Sequence, residues 1–387
     1  MKVQMERICH IDYKAWSDEN RDRLAELLLS RAEHTLNRIY FSGNSGSDGI
    51  EAAMKLSYQA HHDTGKKQKN WYISRLQSYH GATADALAVG DRPNLDFFGP
   101  SLSLKRAKVS QHHPALGMKP GETLDDYARR SAKEFEDKIL EIGPENVCAF
   151  IGETIMGGLV GDVPPAPGYW KYMKEVGDRY DVHLIMDEVY CGTGSSGKIY
   201  CCDWDGITPD FIVLGKTLGA AYAPISAVVT SDTVANIISN GQGRVQHGHT
   251  HQGYSLGVAA AIAVQRIIHT DEMLQHINDL GAHIQHRVKS ELGGHPFFFD
   301  MRGRGLRQTF EYRCTNQHEL GTKLAQVMEE EHGILISGKW HRISFTPAFT
   351  ITQDQMDEVL DTFIATFKKV TAGWPAAEEK VLDAVNS

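Results

Sequence analysis

Short apolar runs alternate with longer amphipathic ones along most of this chain, and that alternation restricts the fold more than any other feature. Runs of strand length occur at residues 38–41, 71–74, 147–152, 183–186, 211–214 and 225–230. Segments of helix length, such as 168–179, separate them. Strand and helix in turn predict an α/β fold class: a mostly parallel central sheet covered by helices on both faces. Ligands of such sheets bind beyond the carboxyl ends of strands, so the loops that follow strands are the places to search.

The pattern changes near residue 271. Helix 272–292, strands 297–301 and 308–312, helix 318–331, strands 334–336 and 342–345, and helix 353–367 predict a smaller α+β domain. Near the start, Leu24, Leu27 and Leu28 recur at helical spacing within 16–32, with Asp18 and Glu19 where the helix dipole favours anions. The expected division is a large α/β domain over 36–270, a small α+β domain from 1–35 and 271–372, and a tail at 373–387.

Charge excludes some partners. Across 387 residues, 40 Lys+Arg against 49 Asp+Glu leave a net charge of -9, without the broad positive field that nucleic acid or an anionic membrane requires. Six cysteines, irregularly spaced, build neither a disulfide framework nor a paired zinc motif, and the vicinal Cys201–Cys202 pair reads as packing. No basic-then-apolar leader and no spanning apolar run is present. A soluble, cytoplasmic protein is expected.

Three features carry chemistry. Ser45-Gly46-Ser47-Asp48-Gly49 lies at a strand-to-helix junction, where free amides and glycine make an anion cradle, although Ser and Asp also cap helices for structural reasons alone. Asp187 and Glu188 follow the strand 183–186, and carboxylates so placed either meet a cationic ligand or act as caps. Lys216 follows the strand 211–214 between Gly215 and Gly219. It is not a nucleotide P-loop lysine, since that motif needs glycine at 210, where this chain has Asp. A lysine with glycine on both sides can project into a cleft as a reactive amine. Phosphate cradle, aspartate and lysine together match what pyridoxal 5'-phosphate needs: an anchor, a carboxylate for the ring nitrogen, and an amine for a Schiff base.

On these residues the chain resembles the class III (omega) aminotransferases of the fold-type I pyridoxal-phosphate enzymes. The likeness extends from about Asp22 to Phe367. It rests on the run from Phe41 to Lys55, on Tyr79-His80-Gly81-Ala82-Thr83, on Ile185-Met186-Asp187-Glu188-Val189 with Gly192-Thr193-Gly194, on Pro209-Asp210 leading to Lys216, and on His247-Gly248-His249-Thr250 before Gly253. The resemblance implies that Lys216 forms the Schiff base and shuttles protons, and that Asp187 keeps the pyridine nitrogen protonated. Tyr79 and Val189 would flank the ring, with His80 and Glu153 beside the cofactor. Gly46 and Ser47 would hold the phosphate, and Thr250 would reach it from the partner subunit of a homodimer with shared active sites. The implied reaction moves an amino group between an amine or (omega-)amino acid and a 2-oxo acid by a ping-pong mechanism.

Departures from the family pattern bear on substrate. Thr154 stands where proline is usual and Met156 where a polar side chain is common. Ser344 falls where a carboxylate-gripping arginine is expected, so Arg342, two residues earlier on the same strand face, becomes the substrate-binding candidate. Fewer residues precede the phosphate loop than in relatives, so either the chain starts internally or the pocket is more open. Aminomutase, racemase or decarboxylating transaminase chemistry uses the same lysine and aspartate, and a non-catalytic dimeric homologue would keep the fold. A metal-dependent hydrolase is the remaining rival, because His247, His249 and His251 would share one face if they lay on a strand.

Overall fold

The computed structural model describes residues 1–13 and 15–375, and resolves two compact units: Met1–Val160, Pro165–Gly194 and Lys198–Thr270 form the first, and Gly161–Pro164, Ser195–Gly197 and the chain from Asp271 form the second. Most of the tail predicted at 373–387 lies outside the described residues.

The first unit is built on a seven-stranded sheet of β1 (Arg38–Gly43), β2 (Trp71–Arg75), β3 (Lys105–Val109), β4 (Val147–Glu153), β5 (His183–Asp187), β6 (Phe211–Leu214) and β7 (Ser226–Thr230), in the order β1-β7-β6-β5-β4-β2-β3. The strands β3, β2, β4, β5 and β6 run parallel. β7 is antiparallel to β6, and β1 is antiparallel to β7. Two reversals cancel, so β1 points the same way as the parallel strands, and the loop after it opens on the same sheet edge as the loops after β2, β4, β5 and β6. The sequence pattern does not show β3. Its residues, Lys105-Arg106-Ala107-Lys108-Val109, occupy the sheet's edge, where charge discourages pairing with another chain and hides the alternation.

Helices α1 (Lys2–Arg7), α2 (Glu19–Leu29), α3 (Gly46–Asp63), α4 (Ala84–Val89), α5 (Asn94–Phe98), α6 (Pro114–Gly117), α7 (Leu124–Ile142), α8 (Tyr169–Arg179), α9 (Asp232–Asn240) and α10 (Ser255–Ile268) complete this unit. The buried face of α3, with Ile50, Ala53 and Met54, joins Ile151, Ile185, Val213 and Val228 of the sheet in one apolar cluster. At Gly49 a Cβ would lie 2.6 Å from Val213 Cγ1, so glycine lets α3 sit close against β6. Asp18 caps α2 by accepting the Asn20 amide at 2.9 Å. Residues 1–35 belong to this first unit, not to the smaller one as the sequence suggested, because α2 packs against α10.

The second unit has a four-stranded antiparallel sheet in the order β10-β11-β9-β8, with β8 (Phe298–Arg304), β9 (Arg307–Tyr312), β10 (Ser337–Lys339) and β11 (Arg342–Phe345). Helices α11 (Asp271–Leu292), α12 (Gln317–His332) and α13 (Gln353–Thr371) bury Ile284, Leu324, Phe363 and Phe367 against Phe310. The strand expected at 334–336 forms three residues later, as β10. Gly333, at φ +68°, ends α12, and the next three residues carry the chain back to the sheet edge.

One buried cation ties the first unit together. Lys69 is 4% exposed, and its Nζ donates to the carbonyls of Pro144, Val147, Tyr180 and Asp181 at 3.0, 3.0, 3.2 and 2.7 Å. It thereby joins the start of β4 to the turn before β5. Lys69→Met should lower the unfolding free energy by at least ~2 kcal/mol, since it strands several buried acceptors; denaturant titration measures this.

Candidate active site

Strand direction alone brings five loops together. β4 and β5 are in register, with Glu153 beside Asp187, and Asp187 pairs in turn with Val213 of β6. Glu153 and Asp187 therefore end adjacent strands, and the chain passes from β6 through Gly215 to Lys216. The loops after β1 and β2 supply Ser45–Ser47 and Tyr79–Gly81. Ser45, Gly46, Ser47, Tyr79, His80, Gly81, Arg92, Glu153, Gly158, Asp187, Val189, Tyr190 and Lys216 line one cleft of about 370 Å³.

Each chemical group is fixed by its surroundings. Asp187 is buried; its Oδ2 pairs with His80 Nδ1 at 2.8 Å, and its Oδ1 accepts the Val189 amide at 3.0 Å. Glu153 accepts the amides of Tyr79 (3.3 Å) and Gly157 (3.1 Å), and burial raises its pKa above the usual carboxylate range. Lys216 opens a single turn of 3-10 helix at φ +40°, a conformation that non-glycine residues rarely adopt and that clusters at functional sites. The surrounding structure imposes it: the buried amide of Gln265 on α10 donates to the carbonyls of Thr217 and Leu218, each at 3.0 Å. The Lys216 Nζ stands 5.4 Å from the centre of the Tyr190 ring.

The N-terminus of α3 is arranged for an anion. Ser45 Oγ accepts the Asp48 amide (3.2 Å), and Asp48 Oδ2 accepts the amides of Asn44 and Ser45 (both 3.0 Å). This capping box leaves the amides of Gly46 and Ser47, the first two of an 18-residue helix, for a ligand. Small residues keep the cradle open. A Cβ on Gly46 would lie 2.6 Å from Val189 Cγ1, and one on Gly81, at φ +147°, would lie 2.6 Å from Ser47 Oγ. Ser47 Oγ itself accepts the Ala82 amide at 3.0 Å, which ties the loop after β2 to the helix start. A phosphorylated aromatic aldehyde with a basic ring nitrogen fits this donor set: anion cradle, buried carboxylate and primary amine face one cavity.

Eight of the sequence-derived residues, Gly46, Ser47, Tyr79, His80, Glu153, Asp187, Val189 and Lys216, meet in this cleft. Thr250 does not; it lines a separate cleft with His10, Asp12, Tyr13 and His249. Arg342 belongs to the second unit, where it is buried on β11 opposite Glu311, and burial lowers its pKa to about 10. The histidine rival does not hold. Residues 247–251 form no strand; the His247 and His249 rings are 6.4 Å apart, and His251 lies against His10 and Tyr254. Among the described residues, no group of His, Cys, Asp and Glu is placed to hold a metal ion.

Sequence reasoning missed Arg92 and Tyr190. Tyr190 follows Asp187-Glu188-Val189 directly and could have been found from that position; nothing in the sequence marks Arg92. The Thr154 departure also finds its reason. Its amide donates to the Asp187 carbonyl (3.2 Å), which a proline could not do, and its hydroxyl donates to Glu188 Oε1 (3.1 Å). Glu188 accepts the Cys201 and Cys202 amides at 2.6 and 2.7 Å, so the second acid of the pair anchors the loop that follows β5.

The class-III aminotransferase family model matches residues 1–367. An uncharacterized aminotransferase of Schizosaccharomyces pombe is 32% identical over 97% of this chain and 85% of its own length. A diaminobutyrate–2-oxoglutarate transaminase of Halomonas elongata is 31% identical over 93% of this chain and 79% of that protein. Among solved structures, the omega transaminase of Pseudomonas jessenii in complex with PMP superimposes with a TM-score of 0.88 at 28% identity, covering 96% of this chain and 84% of that one.

Burial pushes the pKa of Glu188 from 4.5 up to about 7, and that of Asp203 from 3.8 up to about 6. Each acid holds its proton in the folded chain at pH values where the unfolded chain has lost it. Glu188's own contribution to stability should therefore fall by roughly 3 kcal/mol as pH rises from about 4.5 through 7, against the opposite trend of the histidines His34, His61, His183 and His269, whose pKa values burial lowers. Denaturant unfolding of wild type and Glu188→Gln at pH 5 and pH 7.5 isolates it: the stability of wild type relative to the variant should be lower at pH 7.5 than at pH 5.

Proposed function

The chain belongs to the class-III aminotransferase family, and we propose on that basis that it moves an amino group between an amine or amino acid and a 2-oxo acid in a ping-pong cycle, with pyridoxal 5'-phosphate as cofactor. The observation that carries this reading is the meeting of Lys216, Asp187 and the α3 N-terminus in one cleft, from the ends of three different strands. When bound, the cofactor supplies an aldehyde that takes up the amino group and a ring that withdraws electron density from the substrate carbon.

The chain's own residues do the rest. Gly46 and Ser47 bind the phosphate through helix-start amides and a hydroxyl. Asp187, oriented by His80 and the Val189 amide, holds a proton on the ring nitrogen and so maintains the electron sink. Tyr79 and Val189 confine the ring between them, and Glu153 stands beside it. Lys216 Nζ is the amine that carries the cofactor at rest, and in turnover it takes a proton from the substrate carbon and returns it one position away.

A homodimer with shared sites is part of this reading. Thr250, which would contact phosphate, lies outside its own chain's cleft and is free to serve a partner's. A cytoplasmic location fits the cysteines, of which Cys148, Cys191, Cys201, Cys202 and Cys314 are buried free thiols suited to a reducing compartment. No described helix is long and apolar enough to cross a membrane. Amino donors that suit the relatives, diaminobutyrate and gamma-aminobutyrate among them, head the list to be screened.

Lys216→Ala should abolish both the visible absorbance of bound cofactor and amino transfer while leaving the far-ultraviolet circular dichroism intact; an unchanged absorbance spectrum overturns the assignment. Asp187→Asn should cut turnover about a hundredfold or more with cofactor content little changed. Single-turnover conversion of the cofactor to its pyridoxamine form, followed by absorbance, measures it.

A further inference from the structure

Resting on that reading, we infer that Arg92 binds the carboxylate of the 2-oxo acid acceptor and so sets substrate class. Arg92 lines the same cleft as Lys216, Asp187 and Ser47, and its side chain is exposed there. Its guanidinium carbon lies 4.1 Å from the centre of the Tyr79 ring. Stacking occupies the face of a guanidinium and leaves its in-plane N–H donors available, in the fork geometry that matches a carboxylate.

The cleft leaves that charge without an internal counterion. Asp187 is committed to His80 and the Val189 amide, and Glu153 to the amides of Tyr79 and Gly157. The adjacent Asp91 accepts the Gln77 amide at 2.7 Å. Among the described residues, no carboxylate pairs with Arg92. An unpaired guanidinium in a cleft that must admit an anionic substrate is a preformed receptor for it.

The backbone holds this receptor in place. The Asp91 amide donates to the Ser78 carbonyl at 2.8 Å, and with the Gln77–Asp91 bond this closes the loop from Gln77 to Asp91 at its base. The half-buried Lys108 Nζ donates to the Val89 and Gly90 carbonyls, each at 2.6 Å, and to Ser74 Oγ at 2.8 Å. The closed loop delivers Arg92 back beside Tyr79. Arg342, the candidate drawn from sequence, is differently placed: it is 8% exposed, and its charge is already offset by buried Glu311.

The test compares wild type with Arg92→Gln and Arg92→Lys as holoenzymes. Two readouts are used: KM for pyruvate and 2-oxoglutarate against KM for an amine lacking a carboxylate, and calorimetric binding of unreactive glutarate. Arg92→Gln should raise the 2-oxo acid KM and weaken glutarate about tenfold to a hundredfold, with amine KM and kcat within about twofold, and Arg92→Lys should recover part of the loss. Equal losses for the amine and the 2-oxo acid would reduce Arg92 to a brace for Tyr79 and overturn the inference. Unchanged 2-oxo acid KM and glutarate binding would overturn it as well. Should wild type fail to transaminate, the proposed function falls, and glutarate binding still decides whether Arg92 is an anion receptor.

Discussion

A buried carboxylate at the end of a parallel strand must be satisfied, and the way Asp187 is satisfied organises the whole site. Its two oxygens take the His80 ring and the Val189 amide. The first bond fixes the loop after β2, which carries Tyr79. The second bends the chain after β5 so that Val189 packs near Gly46 and Gly215. The α3 N-terminus, the loop that carries Tyr79 and the chain that leads to Lys216 are thus positioned by contacts that spread from one acidic side chain, held against a buried sheet.

The sheet topology makes those contacts possible. β7 runs against its neighbours, and its reversal returns β1 to the common direction, so an anion site from early in the chain shares an edge with a lysine more than 160 residues later. Strain is concentrated at the same place. Lys216, Ala220 and Ala221 all adopt positive φ, and the buried Gln265 holds the segment through two carbonyls. The segment that presents the Lys216 amine is therefore held in one conformation by its surroundings.

Much of this was legible in the sequence, for physical reasons that differ by residue. The apolar runs that became β4 to β6 are buried on both faces and read plainly, and Asp187 and Lys216 at their ends stand out because polar groups interrupt apolar strands only for cause, whereas Glu153 was reached through the family resemblance. The edge strand β3 was invisible because its exposed position favours lysine and arginine. β10 was misplaced by three residues because Ile334-Leu335-Ile336 looks like a strand but follows a left-handed helix end. The grouping of residues 1–35 could not be read, since α2 finds its partner, α10, more than 220 residues away. Arg92 carries no local pattern at all: its place in the cleft comes from a loop closed at its base by Ser78, Gln77 and Asp91.

The central claim is that the amine of Lys216 carries the cofactor in this cleft. Borohydride reduction of the holoenzyme, followed by proteolysis and mass spectrometry of the peptides, tests it most directly, because reduction makes the link permanent wherever it is. The account predicts a phosphopyridoxyl group on the peptide that contains Lys216 and on no other. The same group on Lys55 or Lys108, or no modified peptide from a protein that had bound the cofactor, would contradict it.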